Sequence, residues 1–413
     1  MSENARELHE SDSDNRHRAD ESDNRHRAEE SDNRHRADGS DNKHIPNNRH
    51  KPVESDKEYN KRNSEKFKQL GAARFANEGN WCYFNSINHI LQQLYPLVTY
   101  MVLNYKKIID DPNDYSIIKA LSELLKKSFD NDKKIITPRR FKMICGKVDD
   151  TWNDNKPQDS HEYLNFIITK MNENPGIKCK FIPGFDIKPS ENIGLEESFD
   201  KIIGGLNKNH FEQSKLTNKF SGLLGYNYIC AVCGKITKNY DPFNIISVPI
   251  PVKNNKDNIS IYDCLDNMTK KSQLDKKNKR YCGLCGVENQ SYSSCQFQNT
   301  PQVLIIHLIR FRNNLKKIKN NVEYPKILDL SKYFNPHSPD KNKSKYNLIG
   351  VNIHQSIGRD SNINLGHYTS IVKDKNNGKW FLYNDSCEPE LKSSKDVQSS
   401  NAYILFYVRV KRK

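Results

Sequence analysis

Three residue types that can do acyl-transfer chemistry together stand far apart in this chain: Cys82, His367 and Asn384. A thiol becomes a useful nucleophile when its pKa is lowered and a base stands beside it. Cys82 lies in Asn77-Glu78-Gly79-Asn80-Trp81-Cys82-Tyr83-Phe84-Asn85-Ser86, a Gly/Asn-rich turn that runs straight into the cysteine. Behind it Ile87, Ile90, Leu91 and Leu94 recur at i, i+3, i+4 and i+7, which predicts an amphipathic helix. Cys82 then stands at the helix N-terminus, where unpaired N–H groups and the dipole favour a thiolate. Asn77, five residues upstream, brings a side-chain amide that could donate to an oxyanion. Taken alone, the stretch reads better as a buried cysteine opening a core helix.

Residues near the other end of the chain change that balance. Gly366-His367-Tyr368-Thr369 opens a predicted strand after the polar segment Ser356 to Leu365, and Trp380-Phe381-Leu382-Tyr383-Asn384-Asp385-Ser386 follows. Nucleophile, base and orienter thus occur in the order Cys, His, Asn, a constellation recognised by roles rather than by position. The imidazole of His367 takes the thiol proton and Asn384 holds the ring by its other nitrogen. Asp385 reads as a supporting acceptor, and Gly366 lets backbone pack close to the cleft.

A second cluster carries metal chemistry. Cys230-Ala231-Val232-Cys233 and Cys282-Gly283-Leu284-Cys285 each follow a strand-like run and each precede a glycine. Two CxxC pairs predict two knuckles sharing one structural zinc through four thiolates. The wide gap between them brackets a subdomain. Four sulfurs leave no open position, so the metal is expected to hold structure rather than to react.

The elements that must position these groups follow from periodicity. Tyr115 to Phe129 predicts a helix with Ile117, Ile118, Leu121, Leu124 and Leu125 as its apolar face. Gln158-Asp159-Ser160-His161-Glu162 opens another, with Leu164, Ile167, Ile168 and Met171 as the stripe and Asp159 with Glu162 as an N-terminal cap pair. Pro183 to Lys215 reads as loops with a short helix. From Phe220 the texture is strands: Gln302 to Phe311, Tyr346 to His354, Tyr368 to Val372, Trp380 to Tyr383 and Ala402 to Val410, which predict one antiparallel sheet. Helices first and strands later give an α+β class.

The chain has 413 residues and a formal charge of +15. Lysine and asparagine are abundant throughout rather than patterned, so a nucleic-acid partner is not expected. No run of about 18 apolar residues occurs, so no membrane span is expected. The polar N-terminus does not read as a secretory signal. Ten cysteines with two CxxC pairs then fit an intracellular, cytoplasmic or nuclear, reducing setting. Residues 1–66 carry a nine-residue repeat, Ser22 to Ala28 and Ser31 to Ala37 with a variant from Ser13 and a fading copy from Ser40. With almost nothing apolar in the repeat, this stretch is expected to be a disordered tail ahead of a domain at 67–413.

These motifs together resemble the ubiquitin-specific proteases, papain-like cysteine deubiquitinases. The resemblance rests on the Cys82 stretch, on Gln158 to Glu162, on Phe220-Ser221-Gly222, Pro242-Phe243, Leu308-Ile309-Arg310-Phe311 and Tyr346-Asn347-Leu348, and on the His367 stretch, all in order between Lys68 and Val410. It implies a hand-shaped fold: a helical thumb carrying Cys82, a β palm carrying His367 and Asn384, and zinc-bearing β fingers at roughly 216–300. It also implies that ubiquitin is the partner, its arginine-bearing tail entering the cleft beside Asp159, Glu162, Gly366 and Tyr368. Trp81 departs from the pattern, standing where the family usually has a small hydroxyl residue. So do the long polar segment Ser356 to Leu365 and the lysine-rich stretch Lys253 to Lys279. A catalytically silent ubiquitin-binding module and a protease for a ubiquitin-like modifier are the alternatives on the same fold. A zinc-knuckle nucleic-acid binder leaves the Cys82 and His367 stretches without a role.

Overall fold

The computed structural model describes residues 73–105, 108, 116–130, 135–172, 178–180, 212–214, 219–251, 258–311, 317–338, 340–356 and 366–410. The repeat tail, most of 183–215 and the segment 357–365 lie outside the described residues.

Helices come first. Cys82–Leu91 begins on the cysteine itself, followed by Tyr95–Leu103, Ser116–Asp130, Arg139–Val148 and Ser160–Asn172. Ile87, Ile90 and Leu91 from the first helix meet Leu121, Leu124 and Leu125 from the third and Leu164, Ile167, Ile168 and Met171 from the fifth in one buried cluster. The apolar stripes read from the sequence are therefore the faces that pack. Tyr83, Phe84, Trp152 and Tyr163 add a set of tilted and edge-on aromatic contacts at the base of the Cys82 helix.

The sheet that receives these helices has eight strands. Their order runs Glu390–Lys392, Trp380–Tyr383, Gly366–Lys373, Lys345–Ser356, Ala402–Arg409, Val303–Ile309 and Ile246–Pro249, with Ile327–Asp329 attached beside Lys345–Ser356. Successive side chains on a strand point to opposite faces, and the burial follows that rule. Val303, Ile305, Ile404 and Phe406 join the helical cluster. Leu304, Ile306, Leu405 and Tyr407 join a second cluster with Ile261 and Leu265. Both faces are covered, which is why these strands read as nearly continuous apolar runs.

Three features differ from the sequence expectation. The sheet is not wholly antiparallel: Val303–Ile309 pairs with Ile246–Pro249 in parallel, Ile306 opposite Ile246. Within 216–300, Ile246–Pro249 belongs to the large sheet and a capped helix, Ile261–Thr269, packs on that sheet's second core. The chain thus leaves the finger sheet, visits the large sheet and returns, and that excursion permits the parallel pair. The finger sheet itself runs Ile236–Phe243, Gly222–Cys230, Ser291–Asn299 and Ser272–Gln273. In 183–215 the described part, Glu212–Ser214, is a strand paired with Lys178–Lys180 rather than a loop.

Candidate active site

Cys82 is the first residue of its helix and is 7% exposed. Trp81 fills the capping position without a side-chain bond to the first turn. The N–H groups that a helix leaves unpaired at its start are therefore not consumed by a cap side chain.

His367 and Asn384 come from neighbouring strands of the sheet, Gly366–Lys373 and the end of Trp380–Tyr383, whose register sets Ser370 opposite Tyr383. His367 Nε2 and Asn384 Oδ1 lie 2.7 Å apart. An amide oxygen only accepts, so Nε2 donates and Nδ1 is the nitrogen left for the thiol. The hydrogen bond with Cys82 is the largest influence on His367 and lifts its pKa to about 9. Burial opposes the rise, while Asn384 and the charges of Cys82 and Asp385 add to it. Three groups more than 280 positions apart in the chain at their extremes are thus brought to one point by a helix start and two strand ends.

Asp385 turns the other way. Its carboxylate accepts from Asn77 Nδ2 at 2.9 Å and from Asn85 Nδ2 at 2.8 Å. Its backbone sits at φ 47°, the left-handed region that Asp tolerates better than most residues. Arg74 reinforces the joint with a bond to Ser386 O at 3.1 Å and an ion pair to Glu388 at 3.1 Å. The turn after Asn384 is in this way clasped to the turn before Cys82. Asn77 meanwhile accepts from Gly79 N at 3.2 Å and Trp81 N at 3.1 Å. Its amide nitrogen has two protons, so one remains after the bond to Asp385.

Asp159 caps the Ser160 helix, accepting from His161 N at 2.7 Å, and its other oxygen accepts from Tyr403 OH at 2.8 Å. Burial raises its pKa above the ordinary carboxylate value. Glu162 is exposed one turn along, its pKa raised by partial desolvation and then by the charge of Asp159. Gly366 is required where it stands, because an added Cβ would fall 2.2 Å from His354 Nε2 and 2.7 Å from Gln355 O. Tyr368, expected to meet a substrate, is instead 3% exposed in the core, its ring 4.7 Å from His354. Alternation along the His367 strand explains this: with His367 turned to the thiol, Tyr368 faces inward.

Several residues at this joint were not singled out from the sequence. Asn85 lies inside the Cys82 stretch yet reads locally as a helical residue, and only its bond to Asp385 gives it a role. Asn352, fully buried on the strand Lys345–Ser356, donates to Ser86 Oγ and accepts from Ser160 Oγ, each at 2.9 Å. It ties the Cys82 helix and the start of the Ser160 helix to the sheet. His161 and His307 stack at 3.9 Å beside Tyr403, both with pKa lowered mainly by burial. Isolated asparagines and histidines carry no local signal of such partners.

The four knuckle cysteines converge as expected. Their sulfurs all lie within 4.8 Å of one another, with Cys233 and Cys282 at 3.5 Å and Cys230 and Cys285 at 4.0 Å. Four thiolates about 2.3 Å from a tetrahedral metal stand about 3.8 Å apart, so the set fits one ion. Each knuckle turns through a glycine at positive φ, Gly234 at 74° and Gly286 at 71°, whose N–H bonds to the carbonyl of the first cysteine of its pair. Backbone N–H groups of Cys233 and Val232 lower the Cys230 thiol to about 6. Those of Cys285 and Leu284 also hold the Cys282 thiol below its ordinary value. The cluster can therefore hold a metal ion.

Comparison with known proteins agrees with this geometry. The family model described as ubiquitin carboxyl-terminal hydrolase matches residues 73–407. The chain belongs to that family. It is 29% identical over 369 residues to ubiquitin carboxyl-terminal hydrolase 4 of Saccharomyces cerevisiae, covering 82% of this chain and 39% of that protein. It is 27% identical over 351 residues to ubiquitin carboxyl-terminal hydrolase 2 of Homo sapiens, covering 82% of this chain and 55% of the human protein. The chain therefore spans well under two thirds of the length of these relatives. Among solved structures it is similar to the Ubp8/Sgf11/Sus1/Sgf73 DUB module bound to ubiquitin aldehyde. The TM-score is 0.62 at 22% identity, over 84% of this chain and 71% of the other. That likeness concerns the fold. Among the described residues no helix is long and apolar enough to cross a membrane.

Proposed function

We propose that the chain is a cysteine-type deubiquitinase, cleaving the peptide or isopeptide bond after the C-terminal glycine of ubiquitin. The observation that carries this reading is the alignment of Cys82, His367 and Asn384, with the imidazole held at 2.7 Å by the amide and raised to about 9 by the thiol. In this reading His367 takes the Cys82 proton at Nδ1, which frees a sulfur electron pair. The sulfur attacks the glycine carbonyl carbon and its electron pair moves onto the oxygen. The Asn77 amide and the first N–H groups of the Cys82 helix face the charge that develops there. His367 gives its Nδ1 proton to the departing amine as the carbon–nitrogen bond breaks, leaving a thioester. It then takes a proton from water, which adds to the thioester carbon, and the thiol leaves. Asn384 keeps the ring in register throughout both halves.

Asp159 and Glu162 offer negative charge beside the cleft, which suits the arginines of a ubiquitin tail. The names of the relatives support ubiquitin as substrate, and the domain division into a tail at 1–66 and a catalytic domain at 67–413 fits the family match. Cys230, Cys233, Cys282 and Cys285 would hold one zinc, which braces the finger sheet when bound and takes no part in the chemistry. Free catalytic and metal-binding thiols suit a reducing, intracellular setting.

The test is incubation with ubiquitin bearing a C-terminal electrophile, alongside probes of ubiquitin-like modifiers. Covalent capture by the ubiquitin probe, lost in Cys82→Ala, is the expected result. Non-covalent binding without capture would favour the silent module, and capture by another modifier alone would replace the substrate.

A further inference from the structure

The departure at Trp81 comes with a partner. Residues 79 to 81 make up the last part of the turn that delivers Cys82 to its helix, and all three meet Asn155. The indole N–H of Trp81 donates to Asn155 Oδ1 at 3.0 Å. The Asn80 amide donates to the Asn155 carbonyl at 2.8 Å. Gly79 packs so closely that a Cβ there would fall 2.7 Å from Asn155 Oδ1. Trp81 is 7% exposed, so its N–H needs this acceptor in place of water.

Asn155 is itself anchored. It follows Trp152 and Asp154, whose carbonyls receive the buried Lys142 ammonium from the Arg139–Val148 helix. That ammonium also lies 5.8 Å from the centre of the Trp81 ring. Gly146 of the same helix packs against Asn153, where an added Cβ would come within 2.8 Å of the backbone. On the far side of the turn Asn77 Oδ1 accepts the Trp81 backbone N–H. The Cys82 turn is thus gripped from two sides, by Asn77 toward the sheet and by Asn155 toward the helices.

We infer that Asn155 is a positioning residue for the thiol, acting through Trp81 to fix the start of the Cys82 helix against His367. This rests on the deubiquitinase reading of the site. Asn155 touches no reacting atom, so its loss should lower kcat while KM stays within about threefold. A displacement on the order of 1 Å at the reacting atoms costs up to about 100-fold, and Asn155→Ala should lose about 10- to 100-fold in kcat. Asn155→Asp keeps an oxygen in place of Oδ1 and should recover most of the loss. Trp81→Phe keeps an aromatic ring, though a smaller one, and drops the indole N–H, so it should imitate Asn155→Ala. The double variant should be no slower than the worse single one, because both remove the same bond.

The experiment is steady-state cleavage of a fluorogenic ubiquitin substrate by the full chain and these variants, with melting temperatures measured alongside. Wild-type cleavage tests the reading of the site first, independently of any variant. The inference is overturned if folded Asn155→Ala keeps kcat within twofold of wild type or raises KM alone. It is equally overturned if Asn155→Asp recovers nothing, or if the losses of the two single variants multiply. Should Asn155→Ala fail to fold, Trp81→Phe and Asn155→Asp carry the same decision: Trp81→Phe must lower kcat and Asn155→Asp must not.

Discussion

Asp385→Ala separates the two adjacent polar residues at the end of the Trp380–Tyr383 strand. Asp385 accepts two hydrogen bonds, from Asn77 at 2.9 Å and Asn85 at 2.8 Å. Bonds to a charged acceptor contribute about 1.5–3 kcal/mol each when buried. Asn77 is at the surface and can turn to water. Asn85 keeps Ala76 O at 3.2 Å as a second acceptor. The folding cost from these bonds is therefore expected near the low end, about 1–2 kcal/mol. Alanine at φ 47° adds about 1 kcal/mol that Asp avoids in part, so Asp385→Gly should be the more stable variant. For catalysis, full removal of an oxyanion donor costs about 100- to 1,000-fold in kcat, and that sets the ceiling. Asn77 remains tethered through Gly79 N and Trp81 N, so Asp385→Ala should lose about 10- to 100-fold, less than Asn77→Ala. The assay is kcat and KM on a fluorogenic ubiquitin substrate for Asp385→Ala, Asn77→Ala and the pair. If Asp385 acts through Asn77, the pair is no slower than Asn77→Ala alone. Losses that multiply, or an Asp385→Ala variant slower than Asn77→Ala, would refute the reasoning.

Asn384→Ala removes the acceptor that orients His367 and should lower kcat about 100-fold with little change in KM; near-normal turnover would reverse the roles of Asn384 and Asp385. His367 titrates near 9 chiefly through its hydrogen bond to Cys82, so Cys82→Ala should bring it down toward 6.5, read by NMR of the imidazole. Because its folded pKa is raised, the stability it contributes is full below about pH 6.5 and is lost as pH rises through about 9. Wild type should then lose stability relative to Cys82→Ala across that window, and parallel curves would contradict the pairing. Cys230→Ser, or chelation of the reduced protein, should release about one zinc and lower the melting temperature together; a fresh preparation without zinc would defeat that assignment. Asn352→Leu takes the acceptor from the buried Ser160 hydroxyl while Ser86 keeps its bond to Tyr83 O, and should cost about 1–3 kcal/mol in denaturant unfolding, less any bond Ser160 remakes nearby.

Much of this site is legible along the chain. The apolar spacing behind Cys82 marks its helix, and the thiol's place at the first turn follows from the Gly/Asn-rich run before it. Burial on both faces of Ala402–Arg409 and Val303–Ile309 underlies the apolar runs that mark the sheet. The two CxxC pairs announce the metal cluster because knuckle geometry is local, each needing only four residues and a glycine that turns at positive φ. The tertiary structure decided what no spacing encodes. It assigned Asn384 to the imidazole and turned its neighbour Asp385 to Asn77 and Asn85, a choice made by one backbone angle at a strand end. It buried Tyr368, joined Ile246–Pro249 to the large sheet in parallel, and set Asn352 between two helices. It also gave Trp81 its acceptor in Asn155. A helix or knuckle forms from bonds between near neighbours, so its pattern is written in the sequence. A hydrogen bond between side chains 74 to 308 positions apart exists only once packing has brought both ends within about 3 Å of each other.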